Sequence, residues 1–359
     1  MTATPAPSPV AALAPALAPS VPVGDLARTY ARRKPELDAA VARVMGSGWY
    51  ILGRELAAFE EAFGTYLGLP PVVGVGNGTD AIALGLRALG VGPGDEVVTS
   101  PVSAAFSALA ISQIGALPVF ADIDPRRMTL DPAALEAVIG PRTRAIVPVH
   151  LYGQPADLDS ILGVAARHGL PVLEDCAQAH GALYRGRPVG TWGQVGAFSF
   201  YPTKNLGAFG DGGAISTADP ALAERLRQLR NGGQTGRYRH QTLGVNSRLD
   251  ELQAAILGVR LAHLDADNAR RRAIAARYDA ALARSSEISR PWVAPEVQPV
   301  YHLYAVRTAD RAGLQARLAA AGIASDVHYP TPIRPTPSAS APASSRRRSG
   351  PATRSSACP

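Results

Sequence analysis

Cysteine is nearly absent: the 359 residues hold two, Cys176 and Cys358. So few thiols, so far apart, suggest neither a disulfide framework nor a zinc cluster. Long apolar runs are missing too. No stretch approaches the roughly 20 residues of a membrane span. The Ala-rich start is broken by six prolines before its first basic residue, Arg28, so it lacks the charged opening of a secretory signal. The expectation is a cytoplasmic protein with no membrane partner. Lysine is the third scarcity. Of 36 basic residues only Lys34 and Lys204 are lysine, although lysine is ordinarily common. A chain that has replaced nearly every solvent-facing lysine by arginine makes both survivors worth asking about.

The net charge of +7 belongs to one segment. Residues 331–359 carry Arg334, Arg346, Arg347, Arg348 and Arg354 and no acid, which accounts for five of the seven charges. The remainder offers little support for a basic face, so no nucleic-acid partner is expected. Hydrophobic residues make up 47% of the chain, enough for a sizeable core in one or two domains.

Residues 1–22 are Ala, Pro and Ser without helical or strand period and read as a disordered leader. Apolar positions recur at helical spacing over 26–45 and 53–66, broken by Gly46-Ser47-Gly48. Short apolar runs then alternate with helical stretches: 72–75, 96–99, 118–123, 145–149 and 171–173. That alternation predicts an α/β fold with a mostly parallel sheet covered on both faces. Two more strands are expected at 197–201 and 214–217, and helices at 221–230, 249–264 and 268–284. A strand at 300–308, a helix at 311–321 and an extended piece at 326–329 complete the pattern. The organisation expected is a large domain over 23–259, a partial smaller α+β domain over 260–330, and a disordered Pro/Ser/Arg-rich tail over 331–359.

Three segments could carry chemistry. Gly76-Asn77-Gly78-Thr79-Asp80 lies between a strand and a helix beginning near Ala81, so backbone amides and the positive end of the helix dipole meet there. Such a turn binds phosphate or merely joins strand to helix, and the sequence alone leaves both open. Glu174-Asp175-Cys176-Ala177-Gln178-Ala179-His180 follows an apolar strand. A carboxylate at a strand's C-terminal end points into the ligand crevice of α/β proteins and could hold a protonated ring nitrogen. The alternative for Asp175 is a helix cap. His180 reads as a packed or solvent-edge histidine, since no partner is placed to complete a metal site. The third segment runs from Phe198 through Lys204-Asn205-Leu206 to Gly213. A lysine between an aromatic strand and a glycine turn is placed for desolvation to lower its pKa and free its amine to attack an aldehyde. An exposed turn lysine is the other reading.

Taken together, Gly78-Thr79-Asp80, Glu174-Asp175-x-x-Gln178, Ser199-x-x-x-x-Lys204-Asn205-Leu206 and Asn246-x-Arg248-x-x-x-x-Gln253 resemble the pyridoxal-phosphate sugar aminotransferases of the DegT/DnrJ/EryC1/StrS family. The likeness runs from about Pro22 through Tyr329 and includes His150-Leu151-Tyr152-Gly153 and His328-Tyr329-Pro330. It implies the fold-type I aminotransferase architecture, like that of aspartate aminotransferase. It implies pyridoxal 5'-phosphate as cofactor and amino transfer from glutamate or glutamine to a nucleotide-diphosphate-linked keto-sugar by a ping-pong route. Residue by residue, Lys204 would form the internal aldimine and shuttle the proton. Asp175 would pair with the pyridinium nitrogen and Gln178 with the phenolic oxygen. Gly78 belongs to the phosphate turn; Thr79 and Asp80 through their amides, and Ser199 through its hydroxyl, would hold the phosphate. Asn246 would reach the phosphate of a neighbouring subunit, making a homodimer the working unit. No metal is implied.

Two departures stand out. The family's aromatic residue that stacks on the cofactor ring falls at Ala104, with Phe106 and Tyr152 as the nearest substitutes. From Ile333 onward the sequence is unlike the family's small-domain continuation, as a reading-frame shift near Ile333 or a genuine disordered tail would each produce. Either way, Leu314, Leu318 and Ile323 would lose their cover. Two other functions compete: a sugar dehydratase of a related branch, which has histidine in place of the aldimine lysine, and a non-catalytic cofactor- or sugar-binding protein.

Overall fold

The structure is a computed structural model and describes residues 21–334 and 357–358. Its centre is a sheet of β1 (Val73–Val75), β2 (Glu96–Thr99), β3 (Leu117–Phe120), β4 (Thr143–Val147), β5 (Leu173–Asp175), β6 (Val195–Ser199) and β7 (Gly213–Ser216). The order across it is β3-β2-β4-β5-β6-β7-β1, with β4 joined to β5 by the parallel bridges Ile146 to Val172 and Val149 to Asp175. Pairing is parallel except around β7, which runs antiparallel to both β6 and β1.

The strands are short and apolar on both sides because each face is covered. Val195 and Ala197 of β6 and Leu173 of β5 pack toward the helices Gly78–Ala88 and Pro220–Arg230. Phe198 turns to the opposite face, into a cluster with Phe59 and Phe63 of the helix Arg54–Leu67 and Leu257 of the helix Glu251–Leu261. Those two helices are stitched together by a buried carboxylate. Glu251 accepts the first-turn amides of Glu55 and Leu56, and that of Gly53, at 2.8–3.0 Å, which satisfies donors that a helix start leaves without intrahelical acceptors.

Several expected elements differ in extent. The periodic stretch 26–45 is two helices, Leu26–Ala31 and Lys34–Ser47, because Pro35 opens a new first turn. The strand expected at 171–173 reaches Asp175, and no helix follows it, so Asp175 is not a helix cap. Only Val306–Thr308 of the strand expected at 300–308 pairs with a strand. Tyr301 sits at φ 46°, and the amides of Val300 and Leu303 go instead to the carbonyls of Gly153 and Tyr152. No strand forms at 326–329.

The C-terminal elements are the helix Leu264–Leu282, the strands Ile288–Ser289 and Val306–Thr308, and the helix Arg311–Ala320. Contrary to expectation, their apolar faces are largely covered. Leu314 is buried with Val306, and Leu318 packs beside them with Leu282, Ile288 and Tyr304. Ile323 makes a parallel bridge to Val21, at the edge of the segment read as a leader. Ala357–Cys358 pairs with Val306–Thr308, a strand where the sequence reading placed none. The rest of the leader, 1–20, and the tail residues 335–356 and 359 lie outside the described residues.

Candidate active site

The side-chain alternation of a strand decides which residues meet. Leu173 faces the helix Gly78–Ala88, so Asp175 two residues on faces the same side, and Ser199 follows Ala197 in the same way. Between them starts the helix Gly78–Ala88. Asn77 is its N-cap, its side-chain oxygen accepting the Asp80 amide at 2.8 Å. The amides of Gly78 and Thr79 are therefore the first-turn donors left without an acceptor within the helix. A Cβ on Gly78 would lie 2.5 Å from Ser199 Cβ, so glycine lets the helix start close directly onto β6. The result is a cradle of two amides, a hydroxyl and a helix dipole, fitted to an anion. One expectation is corrected: the Asp80 amide is committed to the cap, and the Asp80 carboxylate accepts from Ser247 Oγ at 2.6 Å and Asn77 Nδ2 at 3.1 Å.

Asp175 is 5% exposed. Its Oδ2 accepts from Ser107 Oγ at 2.7 Å and its Oδ1 from the Ala177 amide at 3.1 Å. Glu174, one residue earlier, points to the other face and does different work. It accepts the amides of Gly190, Trp192 and Gly193 at 2.7–2.9 Å and a bond from His150 Nε2 at 3.0 Å. Since His150 Nδ1 accepts the Ala156 amide, its proton is on Nε2. Cys176 lies near both, and burial with the two carboxylates pushes its thiol well up. Glu174 and His150 hold the loop against β5, and their donors and acceptors are spent on that.

Lys204 follows β6 on the turn from Tyr201, whose carbonyl accepts its amide. Among the described residues its amine makes no hydrogen bond or ion pair. Burial lowers its pKa, and the nearby Asp175 carboxylate opposes the shift. The exposed-turn reading is thus excluded, whereas Lys34 is exposed and paired with Asp38. His180, His302 and His328 all feel the Lys204 charge. His180 is fully buried between Phe198 and Phe200, and burial together with Lys204 holds its pKa at about 3. It is a packed, neutral histidine. His302 Nδ1 lies 3.3 Å from Asn205 Oδ1, and Asn205 Nδ2 donates to Asn268 Oδ1 and to the Val300 carbonyl.

Gln178 is oriented by its neighbours. The Tyr152 amide, presented from a left-handed backbone at φ 59°, donates to Oε1 at 2.7 Å. The NH2 end is left as a donor and meets the Tyr329 hydroxyl at 3.0 Å. Of the aromatic substitutes considered for Ala104, Phe106 is 61% exposed and Tyr152 is buried with its hydroxyl on the His328 carbonyl. Tyr329, from the His-Tyr-Pro segment, is the aromatic found against Gln178. Asn246 is exposed on a segment bridged to Asn231, next to Ser247, whose hydroxyl donates to Asp80. Sequence reasoning missed Ser107 and Asn268, which occupy unremarkable Ala- and Arg-rich stretches with no motif, and Ser247, the unread position between Asn246 and Arg248.

A half-buried lysine whose pKa desolvation lowers, a buried carboxylate beside it and an anion cradle within the same sheet edge fit pyridoxal phosphate: an aldehyde, a ring nitrogen and a phosphate. Comparison with known proteins decides the family. The DegT/DnrJ/EryC1/StrS aminotransferase profile matches residues 32–356, past the Tyr329 at which the likeness was read to end. The chain belongs to this family. A dTDP-3-amino-3,4,6-trideoxy-alpha-D-glucose transaminase of Streptomyces venezuelae is 53% identical over 89% of this chain and 84% of its own length. A UDP-2-acetamido-2-deoxy-3-oxo-D-glucuronate aminotransferase of Pseudomonas aeruginosa is 45% identical over 87% of each chain. The crystal structure of S. venezuelae DesV with a ketimine intermediate superposes with a TM-score of 0.87 at 53% identity, covering 89% of this chain and 86% of DesV. This DegT-family protein is a pyridoxal-phosphate-dependent aminotransferase of fold-type I.

Proposed function

We propose that the chain transfers an amino group from glutamate or glutamine to the keto group of a nucleotide-diphosphate-linked sugar, in two half-reactions that share one site. The observation that carries this reading is Lys204: a half-buried lysine, its pKa lowered by desolvation, beside Asp175 and with no partner of its own among the described residues. The relatives named above as dTDP- and UDP-sugar aminotransferases support the substrate class.

In this reading Lys204 holds the cofactor and is the base that takes, and later returns, the proton at the carbon bearing the amine. Desolvation, which lowers its pKa, favours the neutral amine that this work needs. Pyridoxal phosphate, when bound, supplies the electron sink for the carbanion so formed. Asp175 keeps a proton on the ring nitrogen by a charge-assisted hydrogen bond. The amides of Gly78 and Thr79 and the hydroxyl of Ser199 hold the phosphate. Gln178, whose oxygen is occupied by Tyr152, offers its NH2 to the phenolic oxygen. Lys204 argues against the dehydratase reading, which needs histidine there.

The active unit in this reading is a homodimer in the cytoplasm. Asn246 is exposed, and nearby Leu243 and Tyr238 are 85% and 78% exposed, an apolar surface suited to a second copy. Among the described residues no helix is long and apolar enough to cross a membrane. The test is direct. Purified protein with pyridoxal phosphate should show a visible absorption band, glutamate or glutamine should bleach it, and a keto-sugar nucleotide should restore it. Borohydride reduction and peptide mapping should place the cofactor on Lys204; label on Lys34, or on neither lysine, would overturn the reading.

A further inference from the structure

Ser107 lies in the first turn of the helix Phe106–Gln113 and is 2% exposed. A serine in a helix ordinarily bonds the carbonyl one turn back or faces solvent. This one does neither. Its hydroxyl crosses to β5 and donates to Asp175 Oδ2 at 2.7 Å, while the Ala177 amide takes Oδ1 at 3.1 Å. Each carboxylate oxygen thus has one fixed protein donor. The Ser107 distance falls within the range for hydroxyl-to-carboxylate bonds, about 2.5–2.7 Å. Neither a cap nor packing requires the contact: the helix begins at Ala105 without a side-chain cap bond, and alanine would fill nearly the same volume.

We infer that Ser107 is a positioning residue for the amino-transfer reaction: its hydroxyl holds the Asp175 carboxylate aimed at the cofactor's ring nitrogen. The inference rests on the reading of Asp175 given above. A carboxylate facing a ligand is useful only if its rotation is stopped, since a turned carboxylate loses the bond that keeps the ring nitrogen protonated. The Ala177 amide alone leaves the carboxylate free to swing about that one bond. Ser107 supplies the second anchor, from a different element.

The test compares Ser107→Ala and Ser107→Thr with the wild type, using full-length protein loaded with pyridoxal phosphate. Loss of one hydrogen bond to a charged group should weaken cofactor retention about tenfold in Ser107→Ala. It should lower kcat by a similar factor while KM for the sugar nucleotide stays within about twofold. Ser107→Thr keeps the hydroxyl and should restore both cofactor retention and kcat. In an Asp175→Asn background, Ser107→Ala should add little further loss. Wild-type cofactor retention and kcat in Ser107→Ala would overturn the inference. So would a Ser107→Thr variant no better than Ser107→Ala, or additive losses in the double variant. A wild-type protein that shows no visible cofactor band would overturn the reading of the site and the inference with it; a normal band with an unaffected Ser107→Ala overturns the inference alone.

Discussion

Glu174 and Asp175 are neighbours in the chain with opposite assignments, because successive strand residues face opposite sides of a sheet. The Glu174 oxygens are filled by three backbone amides and His150. Glu174→Gln would turn an NH2 group toward donors, leaving buried amides without acceptors at about 1–3 kcal/mol each. That variant should melt much earlier than the wild type. Asp175→Asn should keep the wild-type melting temperature and lose about a hundredfold or more in kcat, since one buried charge facing the reacting ring commonly contributes that much. Thermal melts and steady-state rates on both variants check the contrast, and equal phenotypes would refute it. Lys204 and Asp175 were legible in the sequence, one from the scarcity of lysine and one from its place at a strand end. Ser107 was not, because a single serine in Ala-Ala-Phe-Ser-Ala-Leu-Ala carries no period or motif, and only the fold brings it to Asp175.

The helix Gly78–Ala88 shows what an element contributes beyond its residues. Its start was readable from strand, glycine and helix pattern, but the sequence could not tell which amides its own cap consumes. Asn77 takes the Asp80 amide, which leaves Gly78 and Thr79 as the first-turn donors without an acceptor in the helix. Gly78 matters for closeness rather than for backbone freedom, since no positive φ is required there. Gly78→Ala would drive a methyl group to within 2.5 Å of Ser199 Cβ, so the helix start and β6 must separate. The expected result is at least tenfold weaker cofactor binding with a melting temperature only modestly lowered, measured by dialysis of loaded protein and by thermal melts. Unchanged retention would mean that the cradle is not where the phosphate sits. Strand limits were less legible than helix starts for a related reason. In 300–308 the apolar residues suggested one strand, but Val300 and Leu303 spend their amides on Gly153 and Tyr152, a tertiary choice invisible to local pattern.

At the scale of the molecule, the fold class followed from the alternation of strand and helix, while the way the C-terminal elements are covered did not. Leu314 and Ile323 were expected to be exposed, yet they meet Val306 and Val21, contacts of long sequence separation that no periodicity announces. The same long-range assembly buries two histidines under Lys204, one from the loop after β5 and one from the C-terminal half. His180 falls from the ordinary 6.5 to about 3 and His302 well below 6.5, in both cases through burial first and the Lys204 charge second. The sign of the consequence follows. Below pH 6.5 the unfolded chain takes up protons at these residues while the folded chain does not, so stability is lost as pH falls, toward the lowered folded-state values. Each histidine adds up to about 1.4 kcal/mol per pH unit to that slope. Cofactor-free protein should therefore lose melting temperature steadily between pH 6.5 and about pH 4, beyond what its carboxylates alone produce. His180→Phe, which places a ring among Phe198 and Phe200 and has nothing to protonate, should flatten that limb while leaving the melting temperature at pH 8 near the wild-type value. Melting curves of the two proteins across this range decide it: parallel slopes would show that His180 is already charged in the folded state or does not titrate between the two states.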